Sequence, residues 1–431
     1  MNETEKQILK IIDEHREELI SMGNTLYTRA ERGFAEVNTS AFIAEQLKKL
    51  GLSVRTGLAG TGLRASIGKE GGVNLALISE LDGILCPSHP QAAPDGMSHA
   101  CGHHAQMTAM LGAAIALTAP EVAGELDGLA TFFAVPSEEF LSEDIRSGLR
   151  EKKISTHSGG KAELISRGCF EDIDMAITTH AHMLPFGEYD FVLGNNACTG
   201  FIGKTATFYG KAAHAAGAPH EGINAMNAAA LALSALGMIR ETFQEKDYVR
   251  VHPIMKEAGS AVNVVPDKAV LDMMVRAGSL KAVAEVSEKT DRAFKGAAYA
   301  IGAKVEIKDV PGYLPVIERL PDQVMIDAAG LIGESIRWTS ITPGQENMTS
   351  TDVGDLTHLM PVLNFTFGGF EGALHSKDFR LTDEEKAFVN PAKLMALTAY
   401  RLLTNQAKEA GQILKDFTPA LTIEEYLDYI K

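Results

Sequence analysis

Apolar residues near the start of the chain recur at the spacing of amphipathic helices. Between residues 4 and 30 they stand three to four positions apart among charges, which predicts helix. A second helical pattern begins after Asn38 or Thr39 and runs to Gly51, a residue type that commonly ends helices. We therefore expect helices to open the fold.

Farther along, short apolar runs alternate with helical patterns. The runs Val73–Ile78, Leu129–Val135 and Met175–Thr179 have the length and composition of buried strands. An Ala-rich helical pattern follows His103, and another helix is predicted near Lys161–Ser166. Alternating strands and helices predict an α/β fold with a mixed, mostly parallel sheet flanked by helices.

The pattern changes near Gly194, where strands and helices become sequence-local neighbours. The segments are a half-exposed strand, a strand–turn–strand and two helices: Thr205–Tyr209, Ala261–Arg276, Asn224–Gly237 and Leu280–Ala300. This arrangement is typical of a two-layer α+β block. We therefore predict a smaller inserted domain at residues 197–314.

After Pro315 the pattern again suits the first core. It predicts a helix near Asp322–Ile332, a strand at Pro361–Phe367 and a helix from Pro391 to about Leu403. Residues 1–196 and 315–431 are therefore predicted to form one larger domain.

Composition excludes several classes of function. The 431 residues are 45% hydrophobic and carry a net charge of -16, which disfavours nucleic acid and anionic membrane surfaces as partners. The start of the chain lacks the pattern of a secretory signal, and the apolar segment Met107–Ala119 is too short to span a bilayer. Four irregularly spaced cysteines do not suggest a disulfide framework, so we expect a cytoplasmic protein.

The densest polar cluster is the segment Ser98–His104. Thiolate and imidazole are good ligands for zinc-like ions, and Gly102 allows the backbone to turn Cys101 and His103 toward one ion. The alternative is a helix start with incidental histidines.

Carboxylates follow two predicted strands. The side chains of Glu80 and Asp82, which follow the strand Val73–Ile78, point the same way. Either could bind a metal or orient a metal-bound histidine. Glu138 and Glu139 follow the strand Leu129–Val135, and their side chains point in different directions. One could therefore bind an ion while the other faces an activated water. Solvated surface acids are the competing interpretation.

Histidines follow two further strands. His180 and the nearby His182 follow the third predicted strand, Met175–Thr179. His375 comes after the fourth, Pro361–Phe367. A lone histidine is more often structural than a ligand. Four strand ends that each offer Cys, His or carboxylate make coincidence much less probable, because open α/β folds place their sites at the carboxyl ends of strands.

With these residues the chain resembles the aminoacylase and carboxypeptidase superfamily of dinuclear metallohydrolases. The likeness is greatest to the amidohydrolase branch that contains indoleacetyl-amino-acid, hippurate and aminobenzoyl-glutamate hydrolases. That branch carries a His-Ala-Cys-Gly-His motif, matched at His99–His103, and a Pro-Ala-Glu-Glu motif, matched with one change at Pro136–Glu139. Matching segments run from Glu31 to the C-terminal helix.

The resemblance implies a centre of two divalent ions, such as Zn, Mn, Co or Ni. Its implied ligands are Cys101, His103, Glu139, His180 and His375. Glu138 corresponds to the family's general base, and Asp82 corresponds to an acid that supports the ligands without binding the ions itself.

The inserted domain resembles the family's lid or dimerisation domain, which implies a homodimer. His214 matches a histidine that reaches the partner's active site and stabilises the oxyanion, while Asn263 and Arg276 match substrate-binding positions. We assign Gly369, in the turn after the fourth strand, to substrate binding as well.

The chain departs from the family pattern at three points. His104 stands where the family has Asp, and Gln106 stands where it has His. The segment after His180 is longer than usual, which leaves His182 as a rival ligand; His180 is preferred because the preceding strand aligns without a gap.

The expected function is hydrolysis of the amide bond of a small N-acyl or aminobenzoyl amino acid by a metal-activated water. One alternative is a dipeptidase or carboxypeptidase. Another is a catalytically inactive metal-binding relative, against which the intact Glu138–Glu139 pair argues.

Overall fold

The chain divides into two compact units. The computed structural model describes residues 1–182, 188–345 and 347–431. The larger unit is built from Met1–Asn196, Ile317–Gln345 and Asp355–Asp428. The smaller unit is built mainly from Ala197–Val316.

A mixed eight-stranded sheet forms the centre of the larger unit. In spatial order its strands are β1 (Arg55–Leu58), β2 (Gly62–Gly68), β6 (Leu129–Val135), β3 (Asn74–Glu80), β7 (Met175–Ala181), β14 (Val362–Phe367), β8 (Phe191–Leu193) and β13 (Trp338–Ser340). The four central strands β6, β3, β7 and β14 are mutually parallel. Their carboxyl ends therefore lie along one edge of the sheet, and the predicted α/β class is confirmed.

Helices cover this sheet. Outside Ala197–Val316 they are α1 (Glu3–Glu14), α2 (Arg16–Tyr27), α3 (Val37–Lys49), α4 (His103–Leu117), α5 (Pro120–Ala123), α6 (Glu143–Glu151), α7 (Gly160–Ser166), α10 (Gln323–Ile332), α11 (Val353–Thr357), α12 (Asn390–Leu403), α13 (Lys408–Asp416) and α14 (Ile423–Tyr429). All fifteen residues of α4 are buried, as expected for a helix that is apolar on every side and packs against other helices and the sheet. Because α4 cannot rotate or shift without disturbing this core, its first residues are held rigidly.

Two short hairpins border the site described below. They are formed by β4 (Ile84–Leu85) with β5 (Met97–Ser98) and by β15 (Phe370–Glu371) with β16 (Arg380–Leu381). No helix in the described part of the chain is both long and apolar enough to cross a membrane.

The smaller unit is a four-stranded antiparallel sheet packed against two helices. Its spatial order is β10 (Arg250–Glu257), β11 (Lys268–Ala277), β9 (Gly200–Tyr209) and β12 (Lys304–Pro311), with helices α8 (Ala225–Ile239) and α9 (Leu280–Ile301). Burial alternates along β11, so one face of the sheet packs on the helices.

Two segment predictions are wrong. Residues 4–30 form two helices rather than one, because the chain leaves helical geometry at His15, which ends α1 and precedes α2. The strands paired with β11 are β10 and β9, not a strand beginning at Ala261. Most residues of the edge strand β10 are exposed, so it lacks the apolar alternation that reveals a strand in sequence.

Candidate metal centre

Strand ends and one helix start bring the predicted ligands together. Strand β3 ends at Glu80, strand β6 ends just before the turn that carries Glu138 and Glu139, and His180 lies near the end of β7. Helix α4 begins at His103. These elements all belong to the larger unit, so the sheet itself positions the cluster.

Two groups of possible metal ligands share one atom. The groups are Cys101–His103–His180 and Cys101–Glu139–His375, each with its ligand atoms within 4.8 Å of one another. The Sγ of Cys101 lies 3.3 Å from Nε2 of His180 and 3.2 Å from Nε2 of His375. The same Nε2 of His375 is 3.2 Å from Oε1 of Glu139.

The backbone conformation around Cys101 depends on a glycine. Gly102 has φ of +88°, and a Cβ at this position would lie 2.7 Å from the Cβ of Ala181. Only glycine combines that conformation with so close an approach. His375 also has a positive φ, 60°, and donates its backbone N–H to the carbonyl of Ala100 at 2.9 Å.

Asp82 holds both the predicted base and a predicted ligand. Its two carboxylate oxygens accept the backbone N–H groups of Glu138 at 3.1 Å and Glu139 at 3.0 Å. Its carbonyl oxygen lies 2.8 Å from Nδ1 of His103, which assigns the proton to Nδ1 and leaves Nε2 to face the cluster. Oε2 of Glu138 lies 3.9 Å from that Nε2.

A second buried acid, which sequence reasoning did not single out, supports the same turn. Ser137 has φ of +47°, a strained conformation for a residue other than glycine, and donates its N–H to Glu36 at 2.8 Å. Glu36 also accepts a hydrogen bond from the hydroxyl of Thr61. Burial, and then the nearby charge of Asp82, raise the pKa of Glu36 to about 8. No sequence pattern pairs Glu36 with a turn one hundred residues away.

The electrostatics of the cluster favour bound positive charge. Burial, and then Glu139, raise the pKa of the Cys101 thiol. Burial opposes protonation of His103, but Cys101 and the hydrogen bond to Asp82 outweigh it and raise the His103 pKa. Burial likewise disfavours ionised Glu139, yet His375 and then His103 lower its pKa. The additional proton, on Nε2 of His103, thus supplies positive charge where a divalent ion could supply it instead.

The donor set fits two divalent ions. Thiolate, imidazole and carboxylate are the ligands that zinc-like metals take. Within the described residues, the buried Nε2 of His103 and Oε1 of Glu139 make no hydrogen bond of good geometry, although each lies 3.2–3.3 Å from a polar atom of a neighbouring side chain. Buried polar atoms rarely lack a partner, and both atoms face other ligand atoms, so binding an ion would satisfy them.

Glu80 sits beside His103 but is itself anchored. Its Oε1 lies 2.6 Å from Nζ of Lys161, and its Oε2 accepts a hydrogen bond from Nε2 of Gln106 at 2.9 Å. The same Oε2 is 3.3 Å from Nε2 of His103. Lys161 is fully buried, and a lone lysine in a short predicted helix gave no sign of this role.

The structure also locates the departures from the family pattern. His104 is buried, is not a member of the ligand groups, and stacks on Tyr27 with ring centroids 4.5 Å apart. Nδ1 of His182 lies 3.4 Å from the hydroxyl of Thr366, and the ligand groups contain His180 rather than His182. Residues 183–187 of the lengthened segment lie outside the described residues.

The remaining predicted site residues have well-defined surroundings. In the smaller unit, Nδ1 of His214 accepts two backbone N–H groups, and the carbonyl of Asn263 accepts the N–H of Ala215. The guanidinium of Arg276 lies over the ring of Phe201. In the larger unit, Gly369 has φ of +96° and its carbonyl accepts the N–H of Thr382. Their roles in substrate binding or catalysis stay predictions.

Comparisons with known proteins agree with this picture. Residues 196–301 match the peptidase dimerisation domain of the M20 group. A human Xaa-Arg dipeptidase is 30% identical over 372 residues, covering 81% of this chain and 75% of that protein. An N-acyl-L-amino acid amidohydrolase from Geobacillus stearothermophilus is 25% identical over 325 residues, covering 73% of this chain and 81% of that protein.

Solved structures show the same fold. A dinuclear metal-binding M20 peptidase from Bacillus subtilis has a TM-score of 0.67 at 22% identity, covering 91% of this chain and 99% of its own. An aminobenzoyl-glutamate utilization protein from Klebsiella pneumoniae has a TM-score of 0.66 at 19% identity, covering 92% of this chain and 98% of its own.

Proposed function

This chain belongs to the M20 family of metallohydrolases, and from that premise we propose that it hydrolyses the amide bond of N-acyl amino acids. The observation that carries the proposal is the position of Cys101, whose sulfur is common to two groups of ligand atoms. Beside them, Asp82 fixes the backbone of Glu138, the acid next to the predicted ligand Glu139. Such a pair of ligand groups with an adjacent base suits amide hydrolysis.

We assign the ligands as the sequence predicted them. Cys101, His103 and His180 would hold one divalent ion, and Cys101, Glu139 and His375 the other. When bound, the ions would polarise the scissile carbonyl and lower the pKa of a water to about 7. The soft thiolate and the imidazoles favour zinc, with manganese, cobalt and nickel as alternatives.

Glu138 would act as general base and then as general acid. It would take a proton from the attacking water and later deliver one to the leaving amine. Asp82 would keep Glu138 in place through the backbone N–H that it accepts. By resemblance, His214 would stabilise the developing oxyanion and Asn263 would bind the substrate, while Arg276 would grip its free carboxylate.

Assembly and compartment are parts of the proposal. The match to a peptidase dimerisation domain supports a homodimer. The four cysteines are buried and none forms a disulfide within the described residues, which is compatible with the reducing cytoplasm that we propose as its location.

The test combines metal exchange with a substrate panel. We expect exhaustive chelation to abolish turnover and Zn²⁺, Mn²⁺, Co²⁺ or Ni²⁺ to restore it. The panel contains acetyl, benzoyl, aminobenzoyl and indoleacetyl amino acids. Metal bound at two equivalents without turnover of any panel member would instead support an inactive binding protein.

A dipeptidase activity is the second candidate, because the human relative is named for cleavage of Xaa-Arg dipeptides. The discriminating comparison uses pairs that differ only in the free amino group, such as glycyl-arginine and N-acetyl-arginine. A higher kcat/KM for the free dipeptide in each pair would assign the chain to the dipeptidases.

A further inference from the structure

A buried ion pair lies beside the predicted metal ligand His103, with Oε2 of Glu80 3.3 Å from its Nε2. Lys161 is fully buried and Glu80 nearly so, and their charged atoms lie 2.6 Å apart. Taking two charges out of water is costly, and the pair can be weaker than a well-packed apolar replacement. A buried ion pair that touches a functional cluster therefore calls for an explanation beyond stability.

The fold places Lys161 at this point through the turn that carries the predicted base. Helix α7 begins at Gly160, whose N–H donates to the carbonyl of Ser137 at 2.8 Å. A Cβ at Gly160 would lie 1.6 Å from the carbonyl oxygen of Pro136, so only glycine allows this approach. Lys161 is the next residue, and its position is thus tied to the turn before Glu138.

Glu80 is bound on both of its oxygens. Lys161 holds Oε1, while the side chain of Gln106 donates to Oε2 and accepts the backbone N–H of Glu80 at 3.1 Å. Glu80, His103 and Glu138 nevertheless form a third group of possible ligands, with one ligand atom from each within 4.8 Å of the others. The negative charge of Glu80 is therefore part of the electrostatic environment of the centre.

The charges at the centre explain why a cation is needed. Five groups carry a negative charge when the ligands and the base are ionised: Cys101, Glu139, Glu138, Glu80 and Asp82. Two divalent ions supply four positive charges, and Lys161 supplies the fifth. The count covers groups whose charged atoms border the ligand atoms; the carboxylate of Glu36 instead accepts hydrogen bonds from Thr61 and Ser137. A buried site with unbalanced charge would carry a large desolvation cost.

We propose that Lys161 is a positioning residue that, by holding Glu80, balances the charge of the two-metal centre and thereby sets its affinity for divalent ions. This inference rests on the proposed function, because it requires that ions bind.

The proposal predicts opposite effects for the two members of the pair. Lys161→Met leaves an excess negative charge, so it should tighten zinc binding about tenfold or more. Glu80→Gln leaves an excess positive charge beside the ions, so it should weaken zinc binding about tenfold or more. The double variant removes both charges and should return to within about threefold of the natural protein.

The measurement is competition for Zn²⁺ between the metal-free full-length protein and a chromophoric chelator. Lys204→Met is the matched control, because Lys204 is also fully buried and paired with Asp291 and Asp309, but in the smaller unit. It should leave zinc affinity unchanged. Glu80→Gln preserves shape and a hydrogen bond to Lys161, so it tests the idea even if Lys161→Met does not fold.

The outcomes separate the two proposals. Opposite shifts for the single variants, cancelled in the double variant, would support a charge-balancing role. Weaker binding in both single variants, or no change in Glu80→Gln, would show that the pair serves packing alone and would overturn the inference. A natural protein that binds no Zn²⁺ would overturn the proposed function and this inference with it.

Discussion

Asp82 accepts the backbone N–H of Glu138 at 3.1 Å, although the two residues lie fifty-six positions apart and follow different strands. The same carboxylate accepts the N–H of Glu139, so one buried acid fixes the turn that carries both the predicted base and a predicted ligand. Geometry at the centre is therefore held by backbone hydrogen bonds to Asp82 as well as by side-chain packing.

Replacement of Asp82 by Asn should lower kcat more than it raises KM. The amide keeps one acceptor oxygen but presents an N–H₂ group to the second backbone N–H, so the turn should loosen. Loss of a group that orients ligands typically costs about 10- to 100-fold in activity or metal affinity. Steady-state kinetics on metal-saturated protein measures this. An unchanged kcat would show that the turn carrying Glu138 and Glu139 keeps its conformation without the Asp82 carboxylate.

Replacement of Glu138 by Gln should abolish most turnover while two equivalents of metal stay bound. General bases contribute about 100- to 10,000-fold to rate, and the amide cannot take a proton from water. Metal analysis and single-turnover kinetics test this together, with the exposed Glu151→Gln in helix α6 as control. Full activity in Glu138→Gln would reject its assignment as the base.

Replacement of Cys101 by Ala should weaken binding of both ions rather than one. Its Sγ is common to the two ligand groups, whereas His180 and Glu139 each belong to a single group. Metal content after gel filtration should fall below one equivalent for Cys101→Ala. The buried Cys169→Ala serves as the control and should retain two. Loss of only one equivalent from Cys101→Ala would place its sulfur on a single ion.

Replacement of Glu36 by Gln should change how the stability of the metal-free protein depends on pH. The pKa of Glu36 is about 8 in the fold against an ordinary 4.5. Between these values the folded protein keeps a proton that the unfolded chain has lost, so this group makes stability fall as pH rises, by roughly 1.4 kcal/mol per pH unit. Glutamine does not titrate.

Urea unfolding of the metal-free protein at pH 5 and pH 7.5 checks this expectation. The free energy of unfolding of Glu36→Gln, relative to that of the natural protein, should be higher at pH 7.5 than at pH 5. If the two proteins differ in free energy of unfolding by the same amount at both pH values, the raised pKa of Glu36 is contradicted.

The core strands of the fold could be predicted because their apolar runs are uninterrupted. Leu129–Val135 is predicted and observed with the same bounds, since all but its first residue are buried. The edge strand β10 could not be predicted in this way. Only Val251 in it is buried, so its position is set by pairing with β11 rather than by its own pattern.

At the centre, the sequence pointed to residues whose chemical type is diagnostic. Cys101 and His103 stand in a recognisable motif, and the structure places both beside His180. Glu36 and Lys161 were missed because their contribution lies in contacts with segments distant in sequence. A buried carboxylate and a buried lysine look in sequence like ordinary surface charges.

The parallel arrangement of the four central strands has a consequence for folding order. Residues from position 101 to position 375 meet only after crossover connections have closed, and contacts so distant in sequence form late. The proposed metal ions would therefore do little to nucleate the sheet, but they would bind and stabilise it once it is assembled. Refolding should accordingly proceed at the same rate with or without added zinc, which would act mainly by slowing unfolding.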